Sequence, residues 1–562
     1  MIYINGQFPG PPLIVDEGDD VTVCVRNRLP FNTTVHFHGI EQLNTAWSDG
    51  VPGVTQWAIK PGESFRYQWH ANTYGTYWYH AHAMATIQDG LYGPIYIRPG
   101  PETSKPFESI TSDHNELLAI ERAVRNPELV MLSDWSNFTS FEYMKALEET
   151  GYDIYCVDSI LIQGKGSVYC PPQSELNSLI PPPVKQIAAD YVTDKGCLPF
   201  VTSIQGNWEH HPEKLPPHLN DGCVPSEGLE QVFYVDPAHR WASLNFISGA
   251  SLKALVVSID EHPMWVYEVD GRYIEPQLAH SFEMYNGERY SVLIKLDREP
   301  GDYRIRIANT GGNQIISGFA TLSYKRDNNT APHESVPYIN YGGQNVSADV
   351  IPLNLSNLPP YPPVYPAEKA DAFHLLTLRR INSSWEWSLD GTQFFPEDLD
   401  GIEPLLYNPN ASDIAPALKI TTKNNTWVDI VFQLDVGDPS VTPVQPPHPM
   451  HKHSNKMFVI GAGQGTFEWS SVDEAIAASP QNFFLDRPLY RDTFVTSPRG
   501  VSWTAIRYHV VNPGPFMLHC HIETHLFSGM GVVLLDGIDV WQDIAHDSWK
   551  CPHLHLDAGV SA

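Results

Sequence analysis

Short runs of alternating apolar and polar residues dominate the chain. Val21, Val23 and Val25 alternate with Thr22, Cys24 and Arg26, and Phe65, Tyr67 and Trp69 alternate with Ser64, Arg66 and Gln68. A period of two marks a strand with one buried face. Segments 34–39 and 76–82 read as further strands, as do 129–132, 252–259, 289–296 and 303–307. Val428, Ile430 and Phe432 repeat the alternation late in the chain, followed by strands at 501–511 and 516–521. Helical signals are few. Asp113 caps a helix running to about Arg125, a surface helix spans 140–151 and stops at Gly151, and Ser471 with Glu474 opens a short helix as a capping box. A Pro-rich exit covers 99–106, and 328–366 is an Asn- and Pro-rich linker. The expected fold is therefore all-β: a first sandwich over 1–106, a second over 107–330 with a helical lead-in, a linker over 331–366, and a third sandwich over 367–562.

An internal repeat sharpens this picture. Gly75-Thr76-Tyr77-Trp78-Tyr79-His80-Ala81-His82 aligns with Gly514-Pro515-Phe516-Met517-Leu518-His519-Cys520-His521, and Gly90 then falls on Gly529. In this register Ala81 stands for Cys520, Thr86 for His525 and Leu91 for Met530. Upstream, His36-x-His38 matches His451-x-His453, with Thr33 in the place of His448. The middle sandwich offers 301–308 at the equivalent place with neither the His pair nor the Cys. The pattern is that of one metal-binding unit duplicated, with ligands lost from some copies.

With 24 histidines, about one His-x-His is expected by accident, yet five occur and four lie on the repeat. The fifth, His553-x-His555, does not, and is read as structural. Along a strand, His519 and His521 point to one face and Cys520 to the other. A thiolate, two imidazoles and a distant thioether suit a mononuclear blue-copper site: Cys520, His525, His448 from the loop at 446–453, and Met530 as the weak axial ligand. Zinc would favour paired cysteines, and no Cys-x-x-Cys occurs. The four paired histidines of the first sandwich and the four of the third would hold three more coppers across an interface, with positions left open for O₂.

Charge and cysteines narrow the setting. A net charge of −30 argues against nucleic acid and anionic membranes as partners, and no apolar run reaches the length of a membrane span. Setting Cys520 aside leaves Cys24, Cys156, Cys170, Cys197, Cys223 and Cys551, an even number that suits disulfides in an oxidising compartment with the connectivity open. Glycosylation acceptors at Asn32, Asn137, Asn328, Asn345, Asn354, Asn382, Asn410 and Asn424 point to export to the cell exterior or wall. Residues 1–7 read as the middle of a first domain, so a signal segment and an opening strand are expected upstream of Met1.

Together the motifs His-x-His-Gly, His-x-His, His-Pro-x-His-x-His and His-Cys-His-x-x-x-His-x-x-x-Gly-Met resemble the signature of the three-domain multicopper oxidases, with laccases and ascorbate oxidases as near relatives. The resemblance spans almost the whole chain. It implies three cupredoxin-like Greek-key domains and four copper ions that couple four one-electron oxidations to reduction of O₂ to water. Carried over, His36 and His451 would bind the type 2 copper, and His38, His80, His82, His453, His519 and His521 the type 3 pair. His448, Cys520 and His525 would bind type 1, with substrate electrons entering at an exposed edge of His448 or His525. Asp49 and Glu523 match family positions for proton delivery. Met530 resembles enzymes of low-to-middle potential. The implied donor is a phenol or diphenol. Residues 158–166 resemble the opening of domain 2 in ascorbate oxidases, which keeps ascorbate open. Fe²⁺ or Mn²⁺ would require carboxylates beside the type 1 histidines. A copper store without turnover would not need the Cys520 path. Residues 557–562 depart from the channel-plugging tail of some fungal laccases.

Overall fold

The computed structural model describes every residue except 189–190, 311, 325–332, 400, 411–413, 436–445, 498–499, 542–548, 550 and 552–562. His553, His555, Asn328 and the 557–562 tail lie outside the described residues.

The chain folds into three two-sheet sandwiches. In the first, Asp20–Arg26 pairs antiparallel with Ser64–His70, and the other sheet orders Leu13–Asp16, Tyr92–Arg98, Gly75–Ala81 and Val35–His38. The second has sheets of six and five strands, and the third repeats that arithmetic. Alternation worked as a guide at the sandwich surfaces: Asp20–Arg26 shows strictly alternating burial. Strands nearest the domain contacts, such as Val35–His38, Gly75–Ala81 and Gly514–Cys520, are buried on both faces. That is why they read as continuous apolar runs interrupted only by histidine.

The repeat seen in the sequence is a repeat in register. Val35–His38 pairs with Gly75–Ala81 so that His36 faces His80 and Val35 faces Ala81. Pro449–Lys452 pairs with Gly514–Cys520 so that His451 faces His519 and Met450 faces Cys520. The return segment matches too: the Ala81 N–H donates to the Leu91 carbonyl at 2.9 Å, and the Cys520 N–H to the Met530 carbonyl at 3.1 Å. The two sites are thus the same backbone with different side chains.

Several local expectations are adjusted. The helix at His114–Arg125 is capped by Asp113, whose carboxylate accepts from Asn115 and Glu116 N–H. The next helix, Ser140–Thr150, ends at Gly151 in the left-handed region, but it buries Tyr143, Ala146 and Leu147 and is a core element rather than a surface one. Ser471 accepts from the Glu474 N–H, while Glu474 returns to the Ser470 N–H and hydroxyl, so the capping box is displaced by one residue. The strand bearing His519 stops at Cys520. The described part of the linker packs down on the second sandwich: Ile339, Leu353 and Leu358 are buried, and Ser281 and Ile274 bridge to Pro352 and Pro360.

Three disulfides form: Cys24–Cys551, Cys156–Cys197 and Cys170–Cys223. The first returns the end of the third sandwich to the first, across a sequence separation of 527. Trp549 stacks near Phe65, and its carbonyl accepts from the Arg66 N–H at 2.8 Å. A crosslink closing so long a loop is worth roughly 2–5 kcal/mol. Replacing Cys24 and Cys551 together by Ser should therefore lower the denaturant midpoint of unfolding while leaving the centre described next intact. An unchanged midpoint would show that packing around Trp549 alone holds this closure.

Candidate metal centre

All ten buried histidines singled out by the repeat, together with Cys520 and Asp49, fall into sets of three whose ligand atoms lie within 4.8 Å of one another. One set is His448, Cys520 and His525. The others are His38, His80 and His521; His82, His453 and His519; His36, His38 and His451; and His36, Asp49 and His453. Each of the first three histidine-only sets draws from both the first and the third sandwich.

Ring orientation is fixed from behind. The Nδ1–H of His36 donates to the Asp49 carbonyl at 2.6 Å, that of His80 to the Ala81 carbonyl at 2.7 Å, that of His451 to the Asp492 carbonyl at 3.0 Å and that of His519 to the Cys520 carbonyl at 2.8 Å. Spending one nitrogen on a carbonyl leaves Nε2 as a lone pair aimed inward, the usual support of a metal-bound imidazole. The Nε2 atoms of His36 and His451 are buried with no hydrogen-bond partner. Facing ring nitrogens stand 3.2 Å apart between His453 and His519 and 3.4 Å apart between His82 and His519. A crowd of unpaired acceptors is unfavourable unless a cation sits among them, so this donor chemistry fits copper.

Burial holds all these imidazoles neutral, pushing His36 down to about 3 and His519 to about 4, with His38, His80, His82, His451, His453 and His521 well below the ordinary range. Burial pushes the Cys520 thiol up. A thiolate there needs a positive partner, and Cys520 Sγ lies 3.8 Å from His448 Nδ1 and 3.7 Å from His525 Nδ1. Met530 is fully buried in the same core cluster.

Asp49 is buried beside two of the sets. Its carboxylate accepts from His453 Nδ1 at 2.8 Å, and its Oδ1 lies 3.5 Å from His36 Nδ1. Burial raises its pKa well above the ordinary value against the pull of Lys452. Glu523 is also buried, at the first position of Glu523–Phe527, where its N–H donates to the Ser251 carbonyl of the second sandwich.

The exposed imidazole edge expected at the mononuclear site is not found: His448 is fully buried and His525 is 4% exposed. Three residues that sequence reasoning missed explain this. Trp387 packs 4.7 Å from the His448 ring and 4.8 Å from the His525 ring. Arg380 lies over Trp387 and pairs with Asp153 at 3.0 Å, and Asp153 Oδ2 stands 4.0 Å from His525 Nε2. Arg380 and Trp387 face each other across adjacent strands, but Asp153 and the histidines they cover lie far away in sequence, so no local motif announces them. His210 stacks on Tyr152 and shares a hydrogen bond with Ser384, away from these sets.

Multicopper oxidase family models match residues 1–102, 128–328 and 382–539. The chain is 62% identical over 547 residues to laccase abr2 of Aspergillus fumigatus, covering 97% of this chain and 92% of that protein. It is 44% identical over 566 residues to laccase-1 of Emericella nidulans, covering 96% and 93%. The crystal structure of a laccase from Botrytis aclada superposes with a TM-score of 0.67 at 22% identity, over 96% of this chain and 85% of that one, and shares the cupredoxin-type fold.

The lowered imidazole pKa values set a pH dependence. An unfolded histidine takes up a proton near 6.5, whereas folded His36 and His519 resist until about 3 and about 4. The metal-free chain should therefore lose stability as pH falls from about 6.5 towards 4, by up to about 1.4 kcal/mol per pH unit for each such group. Denaturant midpoints of the metal-free protein at pH 7 and pH 4.5 measure this. Equal midpoints would show that the rings are protonated in the fold.

Proposed function

The chain belongs to the multicopper oxidases, in the three-domain fungal laccase-like group, and from that premise we propose a specific division of labour among its residues. The enzyme oxidises phenols or diphenols one electron at a time and returns four electrons to O₂ as water. The observation that carries this is the pairing of a Cys-His-His set with three-histidine sets that share the strand 514–520 and its next residue.

Copper, when bound, supplies one-electron acceptance at Cys520 and four-electron reduction of O₂ at the histidine cluster. His448, Cys520 and His525 would hold one ion, with the Met530 thioether packed in the same core cluster. His36 and His451 would hold a second, and the sets His38–His80–His521 and His82–His453–His519 would hold two more. Cys520 is bonded through the backbone to His519 and His521, one in each of the last two sets, so the chain itself joins electron entry to O₂ reduction.

Asp49 and Glu523 keep protons in a cluster otherwise closed to water. Asp49 bridges His36 and His453, and burial keeps its carboxyl readily protonated. Beside His525, Asp153 takes the phenolic proton while the electron passes to the Cys520 site. Its partnership with Arg380 makes it better suited to a neutral hydroxyl than to a divalent cation. Export to the cell exterior or wall fits three disulfides and sequons at Asn137, Asn345, Asn354, Asn382 and Asn410 that are all exposed. Among the described residues no helix is long and apolar enough to cross a membrane.

O₂ uptake by the copper-loaded protein with a methoxyphenol, ascorbate or Fe²⁺ at matched concentrations tests the donor. Fastest uptake on the phenol is expected. Fastest uptake on ascorbate or Fe²⁺ would move the specificity and leave the centre unchanged. Asp49→Asn should slow turnover by about 10²–10⁴-fold, most severely at high pH where protons are scarce. A uniform small effect at every pH would contradict a proton role for Asp49.

A further inference from the structure

Among the described residues the middle sandwich supplies none of the clustered ligands, yet the loop that crosses from Ser281–Met284 in one of its sheets to Arg289–Lys295 in the other reaches the histidine cluster. Gly287 sits in this loop with φ +87°. A Cβ there would come within 2.8 Å of His38 Cε1 and 2.9 Å of His521 Cδ2. Two residues on, Arg289 is fully buried and grips the Asp492 carboxylate of the third sandwich with both terminal nitrogens, at 2.6 and 2.7 Å. Its Nε donates to the Thr76 carbonyl of the first sandwich at 3.1 Å. One guanidinium therefore ties all three sandwiches together beside the cluster.

The residue it holds touches two rings: the Asp492 carbonyl accepts from His451, and the Asp492 carboxylate faces His38. The described contacts aim Nε2 inward for His80, His82, His453, His519 and His521, but His38 turns the other way. Its Nδ1 faces His521 Nε2 at 3.2 Å and His80 Nε2 at 3.4 Å. Its outward nitrogen, Nε2, faces Asp492 Oδ1 at 3.4 Å and Thr493 Oγ1 at 3.4 Å. Where His36, His80, His451 and His519 are oriented by backbone carbonyls, His38 is oriented by a carboxylate. A carboxylate on a side chain needs its own support, and the two-pronged guanidinium provides it. The sequence keeps room for this: Gly39, with φ +86°, follows His38, and a Cβ there would fall 2.5 Å from Arg289 Nη2 and 3.0 Å from Asp492 Oδ2. The glycine of the His-x-His-Gly motif thus makes space for a residue of another domain.

We propose that the ligand-free middle domain is the positioning element of the trinuclear site: Arg289 fixes Asp492 so that His38 presents Nδ1, and Gly287 seats the His38 and His521 rings. This rests on the reading that the eight paired histidines hold three coppers. Arg289 and Gly287 are positioning residues and touch neither substrate nor O₂.

Removing Arg289 alone would strand a buried carboxylate, so the test uses the neutral pair Arg289→Met with Asp492→Asn, alongside Arg289→Lys and Gly287→Ala. Each is made in the full chain and loaded with copper. Copper per chain, the blue thiolate band and the paramagnetic resonance of the cluster are then read. The neutral pair should keep the blue band and lose one or more coppers per chain, with an altered cluster signal. Arg289→Lys, which keeps the charge and loses the two-pronged grip, should show the same defect more weakly. Gly287→Ala should alter the cluster signal with the blue band unchanged. Wild-type copper content and cluster spectra in the neutral pair would overturn the proposal. Should that pair fail to fold, the same wild-type result in Gly287→Ala would overturn it. A wild-type enzyme lacking any cluster signal would instead sink the trinuclear reading itself.

Discussion

Everything in this molecule turns on bringing eight neutral imidazoles face to face inside a dry interface between its first and third sandwiches. Burial strips each ring of water and of its proton, and backbone carbonyls take up one nitrogen of several rings. The remaining lone pairs converge with too few protein donors. Such an arrangement is costly in the bare chain. The strain is relieved when metal ions bind, so the folding free energy of the interface and the affinity for metal are coupled. The lysines and arginines around it, Lys452, Lys456, Arg289 and Arg491, are buried and paired with Asp536, Asp492, Asp270 and Glu288. They cement the interface without competing for the lone pairs.

Duplication explains how one backbone serves two purposes. The same register carries Ala81, Thr86 and Leu91 in the first sandwich and Cys520, His525 and Met530 in the third. With Thr33 in the place of His448, four substitutions separate a half-cluster from a half-cluster with an electron entry attached. Strand alternation then does the wiring, because neighbours on a strand point to opposite faces and remain one peptide apart. Among the described residues the middle sandwich contributes none of the clustered ligands, but its Gly287–Arg289 loop meets the cluster and its Ser251 carbonyl meets the turn at Glu523.

Much of this was legible in the sequence because the chemistry sits on strands. Spacing of two gave the shared faces, and a five-fold excess of His-x-His gave the sites. The internal alignment placed His448, Cys520 and His525 together before any coordinates, and the structure brings them within ligand distance of one another. What could not be read came from residues brought close only by domain packing. Asp153, Arg380 and Trp387 bury the mononuclear site and remove the exposed imidazole edge that the pattern implied. Arg289 and Asp492 are 203 residues apart and carry no motif. The pairing of Cys24 with Cys551 was likewise one of fifteen equal possibilities until the chain end was seen returning to the first sandwich. Gly39 was the one overlooked local clue, since a glycine directly after a ligand pair signals either a left-handed turn or a close neighbour, and here it serves both.

The most direct measurement is the electron count per O₂. Phenol oxidised, O₂ consumed and hydrogen peroxide released should be followed together in the copper-loaded enzyme. A cluster fed through Cys520 and supplied with protons from buried carboxylates should consume one O₂ for every four one-electron oxidations, with no peroxide. Two oxidations per O₂ with matching peroxide would contradict the trinuclear centre and leave only a mononuclear copper oxidase.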